Sequence, residues 1–240
     1  MKPLIFIHGF LGSRKDLDVT FNGFEMHFFE LPGHGNNQKK LARYDLASLA
    51  YELETYLKGF QQPYVWGYSL GGRVLQKVIE RDLIPLSGAI LESTAGFQQE
   101  PFDRLEKDKI WAQKLSSVPI DRFLDEWYSQ ELFKSLRSHP KYLETLGLRK
   151  SIDPQIAAQI LVEASPAQNP LPTPDRIPIP TLAMTGENDA KYSKIWASWI
   201  DKNPNLDIRI LEKCGHTPHI ENLELTVRTV QEWLAQQEKM

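Results

Sequence analysis

Residues 64–73 read Tyr64-Val65-Trp66-Gly67-Tyr68-Ser69-Leu70-Gly71-Gly72-Arg73, and this stretch decides the fold. Tyr64–Trp66 is apolar and β-prone, as expected of a short buried strand. From Leu70 to Glu80 the apolar residues recur at helical spacing, which predicts a helix. Between strand and helix lies Gly67-Tyr68-Ser69-Leu70-Gly71, a match to G-x-S-x-G. That pattern puts a serine at the tip of a sharp strand-to-helix turn, where a Cβ on either flank would clash. The five residues alone read equally as a glycine-rich turn with an incidental serine. The strand before them and the helix after them favour a nucleophile.

Outward from this turn, short apolar runs alternate with helical patterns. Leu4–Ile7, Glu25–Phe29, Gly88–Leu91, Thr181–Met184 and Leu206–Leu211 are further expected strands. Asp45–Tyr56, Ile195–Ile200 and a last segment from Leu223 to Ala235 are expected helices. Such alternation predicts a mostly parallel central sheet flanked by helices on both faces. One stretch breaks the rhythm. Residues 98–169 offer only helical patterns: Trp111–Leu115, Arg122–Tyr128, Leu132–Leu136, Tyr142–Leu148 and Gln155–Ala164. They are expected to form an inserted all-helical cap, with 1–97 and 170–240 as the core and the prolines of 166–180 as a stiff return linker.

Composition narrows the function classes. The 240 residues suit one sizeable core. A formal net charge of −3 gives no reason to expect nucleic acid or a membrane surface as partner. The single cysteine, Cys214, excludes a disulfide within the chain. The apolar run at the N-terminus is too short for a signal-peptide core, and no window approaches a membrane span, so the expected location is cytoplasmic.

A serine hydroxyl is a poor nucleophile without a base. Gly186-Glu187-Asn188-Asp189 follows one expected strand and Cys214-Gly215-His216 another, on the same sheet edge as Ser69. Asp189 would orient the imidazole of His216, and His216 would carry the serine's proton. After the first strand comes His8-Gly9-Phe10-Leu11-Gly12; the backbone amides of Phe10 and Leu70 would form an oxyanion hole. His8 and His34 read as loop architecture, and Cys214 as a buried thiol. Arg73 stands four residues after Ser69, on the nucleophile's face of the helix, where a guanidinium could clamp a carboxylate or form a salt bridge at the pocket floor.

Taken with these motifs, the chain resembles the 2-succinyl-6-hydroxy-2,4-cyclohexadiene-1-carboxylate synthases (MenH family) of the α/β-hydrolase superfamily. The resemblance rests on His8-Gly9-Phe10-Leu11-Gly12, Leu31-Pro32-Gly33-His34-Gly35, residues 67–73, and in the cap on Arg104, Trp111, Trp127-Tyr128, Phe133 and Leu148-Arg149. It ends with residues 186–192 and Gly215-His216-Thr217-Pro218-His219-Ile220-Glu221-Asn222. Departures are Glu30 where an aspartate commonly stands, Asn36-Asn37 in place of a small hydroxyl residue, and Leu223 in place of a proline. The resemblance implies an α/β-hydrolase fold and a lyase of menaquinone or phylloquinone biosynthesis that eliminates pyruvate. It further implies Ser69, Asp189 and His216 as catalytic residues, with Tyr68, Arg73, Arg104, Trp127, Tyr128 and Arg149 contacting substrate. Phe133 is as readily plain cap packing. Three arginines would take one carboxylate each from a small-molecule polycarboxylate, with no metal or organic cofactor, in a monomer or weak oligomer. A carboxylesterase or C–C bond hydrolase working through an acyl-enzyme is the alternative on the same triad.

Overall fold

The structure, a computed structural model, describes residues 1–95, 97, 103–150 and 152–239. Its sheet is built from β1 (Lys2–Ile7), β2 (Phe24–Phe29), β3 (Tyr64–Tyr68), β4 (Gly88–Glu92), β5 (Thr181–Gly186) and β6 (Leu206–Leu211). Every pairing is parallel and the order is β2-β1-β3-β4-β5-β6. The central strands β3, β4 and β5 are buried along their whole length, so their middles (64–66, 89–91 and 182–184) read as short apolar runs rather than alternating ones.

Helices α1 (Leu46–Leu57), α2 (Leu70–Arg81), α8 (Ala190–Ala197) and α10 (Leu223–Gln237) cover the sheet. One face packs Ile5, Ile7, Val65 and Leu91 against Leu49, Leu53, Val74 and Val78 of α1 and α2. The other packs Leu4, Phe6, Trp66 and Ile90 against Val230, Trp233 and Leu234 of α10. The alternation along β1 thus divides its side chains between two cores.

From β1 the chain steps outward to β2, then returns to the far side of β1 to lay down β3. This reversal makes β1/β3 the switch point of the sheet, where a crevice opens at the strands' carboxyl ends. The loop after β1 and the turn after β3 both border that crevice.

Between β4 and β5 the described residues contain helices and no strand: α3 (Arg104–Ser117), α4 (Ile120–Tyr128), α5 (Lys134–Arg137), α6 (Tyr142–Arg149) and α7 (Pro154–Glu163). The expected start of the cap, 98–102, lies outside the described residues. These helices share a small core of Leu115, Phe123, Leu124, Leu136 and Leu161, joined by Leu11 from the loop after β1 and Ile220 from α9 (Pro218–Glu221). The cap helices are therefore seated on the two loops expected to carry the oxyanion hole and the catalytic histidine. The proline-rich return is more than a strut. Leu171 and Ile177 are buried in the first core, and Asn203 Nδ2 donates to the carbonyls of Pro174 and Ile177 at 2.7 and 3.0 Å.

The expected helix Leu132–Leu136 is a 3-10 turn followed by the single turn of α5, and two longer helices also differ from the sequence expectation. α3 begins at Arg104, seven residues before the expected Trp111. Its first two turns place Arg104 and Asp108 on a cavity, so the apolar period that would announce a helix is interrupted there. α8 starts at Ala190 and ends at Ala197, so the expected Ile195–Ile200 overlaps only its last turn. Trp199 packs against the core from the turn that follows, while Ile200 is half exposed. Apolar spacing alone had extended the helix into that turn.

Candidate active site

Ser69 stands between β3 and α2 with φ 49°, a conformation a non-glycine residue adopts only when its surroundings enforce it. Two close approaches do so. A Cβ on Gly71 would lie 2.5 Å from the Ile7 carbonyl oxygen, and one on Gly9 would lie 2.7 Å from the Tyr68 ring. The elbow and the loop after β1 are thus pressed together, with Gly9 beside Ser69. The Ser69 amide donates to the Glu92 carbonyl at 2.9 Å, which anchors the turn to β4. Although Ser69 sits at the N-cap of α2, its hydroxyl forms no capping bond. It faces His216 Nε2 at 3.3 Å instead.

His216 Nδ1 donates to Asp189 Oδ2 at 2.6 Å, with both side chains buried. Asp189 reaches that place because the loops after β5 and β6 are stitched together: the Asn188 amide donates to the Cys214 carbonyl at 2.9 Å, and the Lys213 amide to Glu187 at 2.9 Å. Glu221 fixes the histidine loop from the other side. Its carboxylate accepts from the Gly215 amide at 2.7 Å, the Thr217 amide at 3.0 Å and hydroxyl at 2.6 Å, and from the Ser135 hydroxyl of the cap. The imidazole is enclosed by the rings of Tyr68, Phe133 and Tyr192. Sequence reasoning assigned no role to Glu221 or Tyr192. The signal for Glu221 was its place five residues after His216, within one turn of the loop it clamps.

His8 and His34 hold the loops after β1 and β2. His8 Nε2 accepts from the Leu31 amide at 3.1 Å, and His34 Nε2 accepts from the Leu11 amide at 3.2 Å. Burial lowers the pKa of both, and His8 lowers that of His34 further. Both therefore stay neutral and act as acceptors. Glu30 takes up the Arg14 and Asn36 amides at 3.0 and 2.9 Å, so the departure from aspartate serves the same loop cluster. Beneath the elbow, Glu92 accepts from Trp66 Nε1 at 2.9 Å and from His219 Nδ1 at 2.7 Å. Burial, then Glu221, pushes the Cys214 thiol up to about 12, which leaves it inert.

Above the triad is a cavity of about 510 Å³ between the strand ends and the cap. Ser69, His216, Asp189, Phe10 and Leu70 border it, and so do Tyr68, Arg73, Arg104, Trp127, Tyr128 and Arg149. The structure thus gathers all the expected site residues around one space. Trp127 packs on Phe10 and Phe123, and Tyr68 is buried, its phenol held neutral by burial and then by Tyr128. The arginines differ from one another. Arg73 Nη1 donates to the Ala164 carbonyl at 2.7 Å. Arg104 Nε faces both oxygens of Asp108 at 3.1 and 3.0 Å. Arg149 pairs through Nη1 with Asp16 and donates from Nε to Tyr128 Oη at 3.1 Å. Arg104 and Arg149 thus each face a carboxylate of the chain itself, whereas the Arg73 bond goes to a backbone carbonyl.

The chain is similar to known proteins along almost its whole length. The chain is 28% identical over 243 residues to 2-succinyl-6-hydroxy-2,4-cyclohexadiene-1-carboxylate synthase of Photorhabdus laumondii, covering 97% of this chain and 85% of that protein. It is 29% identical to the synthase of the same name from Yersinia pseudotuberculosis, covering 91% and 82%. Among solved structures, MenH from S. aureus superimposes with a TM-score of 0.90 at 26% identity, covering 99% of this chain and 94% of that one. A thermophilic esterase from Thermogutta terrifontis shares the fold at a TM-score of 0.85 and 20% identity, with 99% and 90% covered. The model of the alpha/beta hydrolase family matches residues 4–229, and the chain belongs to that family.

Proposed function

We propose that the protein is a lyase that eliminates pyruvate from 2-succinyl-5-enolpyruvyl-6-hydroxy-3-cyclohexene-1-carboxylate, giving 2-succinyl-6-hydroxy-2,4-cyclohexadiene-1-carboxylate. The observation that carries the reading is one cavity holding a serine–histidine–aspartate relay together with Arg73, Arg104 and Arg149. The relatives named for this synthase support it along almost the whole chain. The proposed substrate bears three carboxylates, and arginine forks suit such groups.

In this reading Ser69, its proton drawn toward His216, takes the proton from the ring carbon next to the succinyl ketone. The electron pair moves into the ring and the carbon–oxygen bond to the enolpyruvyl group breaks. The departing enolate takes up a proton as pyruvate. The ketone oxygen gains negative charge in the transition state, and the amides of Phe10 and Leu70 stabilise it. Leu70 is suited to this because it opens α2, where helix amides lack intrahelical acceptors. Asp189 holds the imidazole in the tautomer that presents Nε2 to the serine.

Pyruvate release from the synthesised intermediate, followed by a coupled reduction assay, tests the reading. Stoichiometric pyruvate without covalent modification of Ser69 is the expected result. An acylated Ser69 trapped by mass spectrometry, with rapid turnover of a neutral ester, would favour the hydrolase instead.

A further inference from the structure

The Arg149 guanidinium is almost completely buried, yet it borders the cavity. Two of its three nitrogens are committed, Nη1 to Asp16 and Nε to Tyr128 Oη. Asp16 is not a cap residue. It lies three positions after Ser13, in the short helical turn Arg14–Asp16 that follows the expected oxyanion loop. Its other oxygen, Oδ2, accepts from the Ser13 amide at 3.3 Å and closes a capping box. The same oxygen crowds Gly12, where a Cβ would stand 2.5 Å away. One carboxylate therefore holds the loop bearing Phe10 with one oxygen and a cap arginine with the other. The side chains of the pair are 4% and 0% exposed.

We propose that Asp16 is a positioning and specificity-determining residue of the cavity. Its carboxylate neutralises Arg149 and ties it to the oxyanion loop, so that Arg149 orients a substrate by hydrogen bonding without acting as a full counter-ion. The proposal deepens the synthase reading and rests on it for the identity of the substrate. It divides the work among the cavity's cations. Arg149, balanced from within the chain, favours a particular placement of the ligand over a higher ligand charge. Balancing also matters before substrate arrives, since a buried guanidinium without a counter-charge is strongly disfavoured. Burial opposes the Arg149 charge, but Asp16 and then Tyr128 outweigh it and raise the pKa above the ordinary arginine value.

The test is a double-mutant cycle on the full chain with Asp16→Asn, Arg149→Met and the pair together. Asparagine preserves the shape and an acceptor oxygen but removes the charge. Two measurements are made on each protein: melting temperature, and the Kd of 2-succinylbenzoate, an aromatic dicarboxylate resembling the product, at low ionic strength. Asp16→Asn should melt lower than wild type yet bind the dicarboxylate at least threefold more tightly, because Arg149 then seeks a counter-charge in the ligand. Adding Arg149→Met should abolish the tighter binding and recover part of the lost melting temperature. Unchanged or weaker binding in Asp16→Asn, or strictly additive effects in the double variant, would overturn the proposal and leave Asp16 as a plain turn cap. Should Asp16→Asn fail to fold, the double variant decides: folding restored supports neutralisation, and folding still lost refutes it. Absence of pyruvate release by wild type would strike the synthase reading alone, since the binding cycle requires no turnover.

Discussion

Ser69 carries two demands at once: a backbone held at positive φ and a hydroxyl kept clear of the helix it begins. Replacing it with alanine should leave the fold and ligand binding intact while lowering pyruvate release by roughly 10³-fold or more, as expected when a relay loses its central atom. Measurement of kcat together with dicarboxylate affinity checks this, and weakened binding would mean that the elbow itself had moved. The two neutral loop histidines make a different prediction. Because the folded state holds His8 and His34 below their ordinary pKa of 6.5, the unfolded chain binds more protons as the solution is acidified. Their contribution to stability is fully present above about pH 6.5 and is lost as pH falls below it. Melting temperature should drop between pH 7 and pH 5, and the slope should be shallower in His34→Gln, whose side chain can still accept from Leu11.

At the level of elements, the strand–elbow–helix unit of β3 and α2 was legible in ten residues because its constraints are local. Gly71→Ala should destabilise the protein by about 1–3 kcal/mol, the usual effect of overpacking, since the added methyl meets the Ile7 backbone. Chemical denaturation of the variant and wild type measures the difference. The histidine loop was legible only in part. His216 announced itself by following a strand, whereas Glu221 became visible as its clamp only when four of its hydrogen bonds converged. Glu221→Gln is expected to lower kcat about 10-fold or more with little change in KM, because the histidine loses its fixed place while the arginines keep theirs. Steady-state kinetics on the proposed substrate separates the two parameters. The misplacements of α3 and α8 have opposite causes. Helix periodicity is written by burial against a core: it fades where α3 faces the cavity, and it runs on past the end of α8 where the following turn is packed.

For the molecule as a whole, an overall charge of −3 is set against a substrate proposed to carry three carboxylates. Attraction must then come from cations concentrated at the cavity, and salt should weaken it. Raising ionic strength from about 0.05 to 0.5 M, across which the Debye length shrinks severalfold, should raise KM while kcat stays nearly constant. A KM that does not respond would mean that the cavity recognises its ligand by shape. The parallel sheet, the elbow, the order of serine, aspartate and histidine, and the helical character of the segment between β4 and β5 can all be read from the chain's order of residues. Each of these is encoded by neighbours along the chain, through period, turn chemistry and strand ends. Tertiary structure alone reveals that Asp16 and Arg149, 133 residues apart, share one buried bond. A charge's effective strength depends on what lies opposite it in space, and no local pattern records that partner.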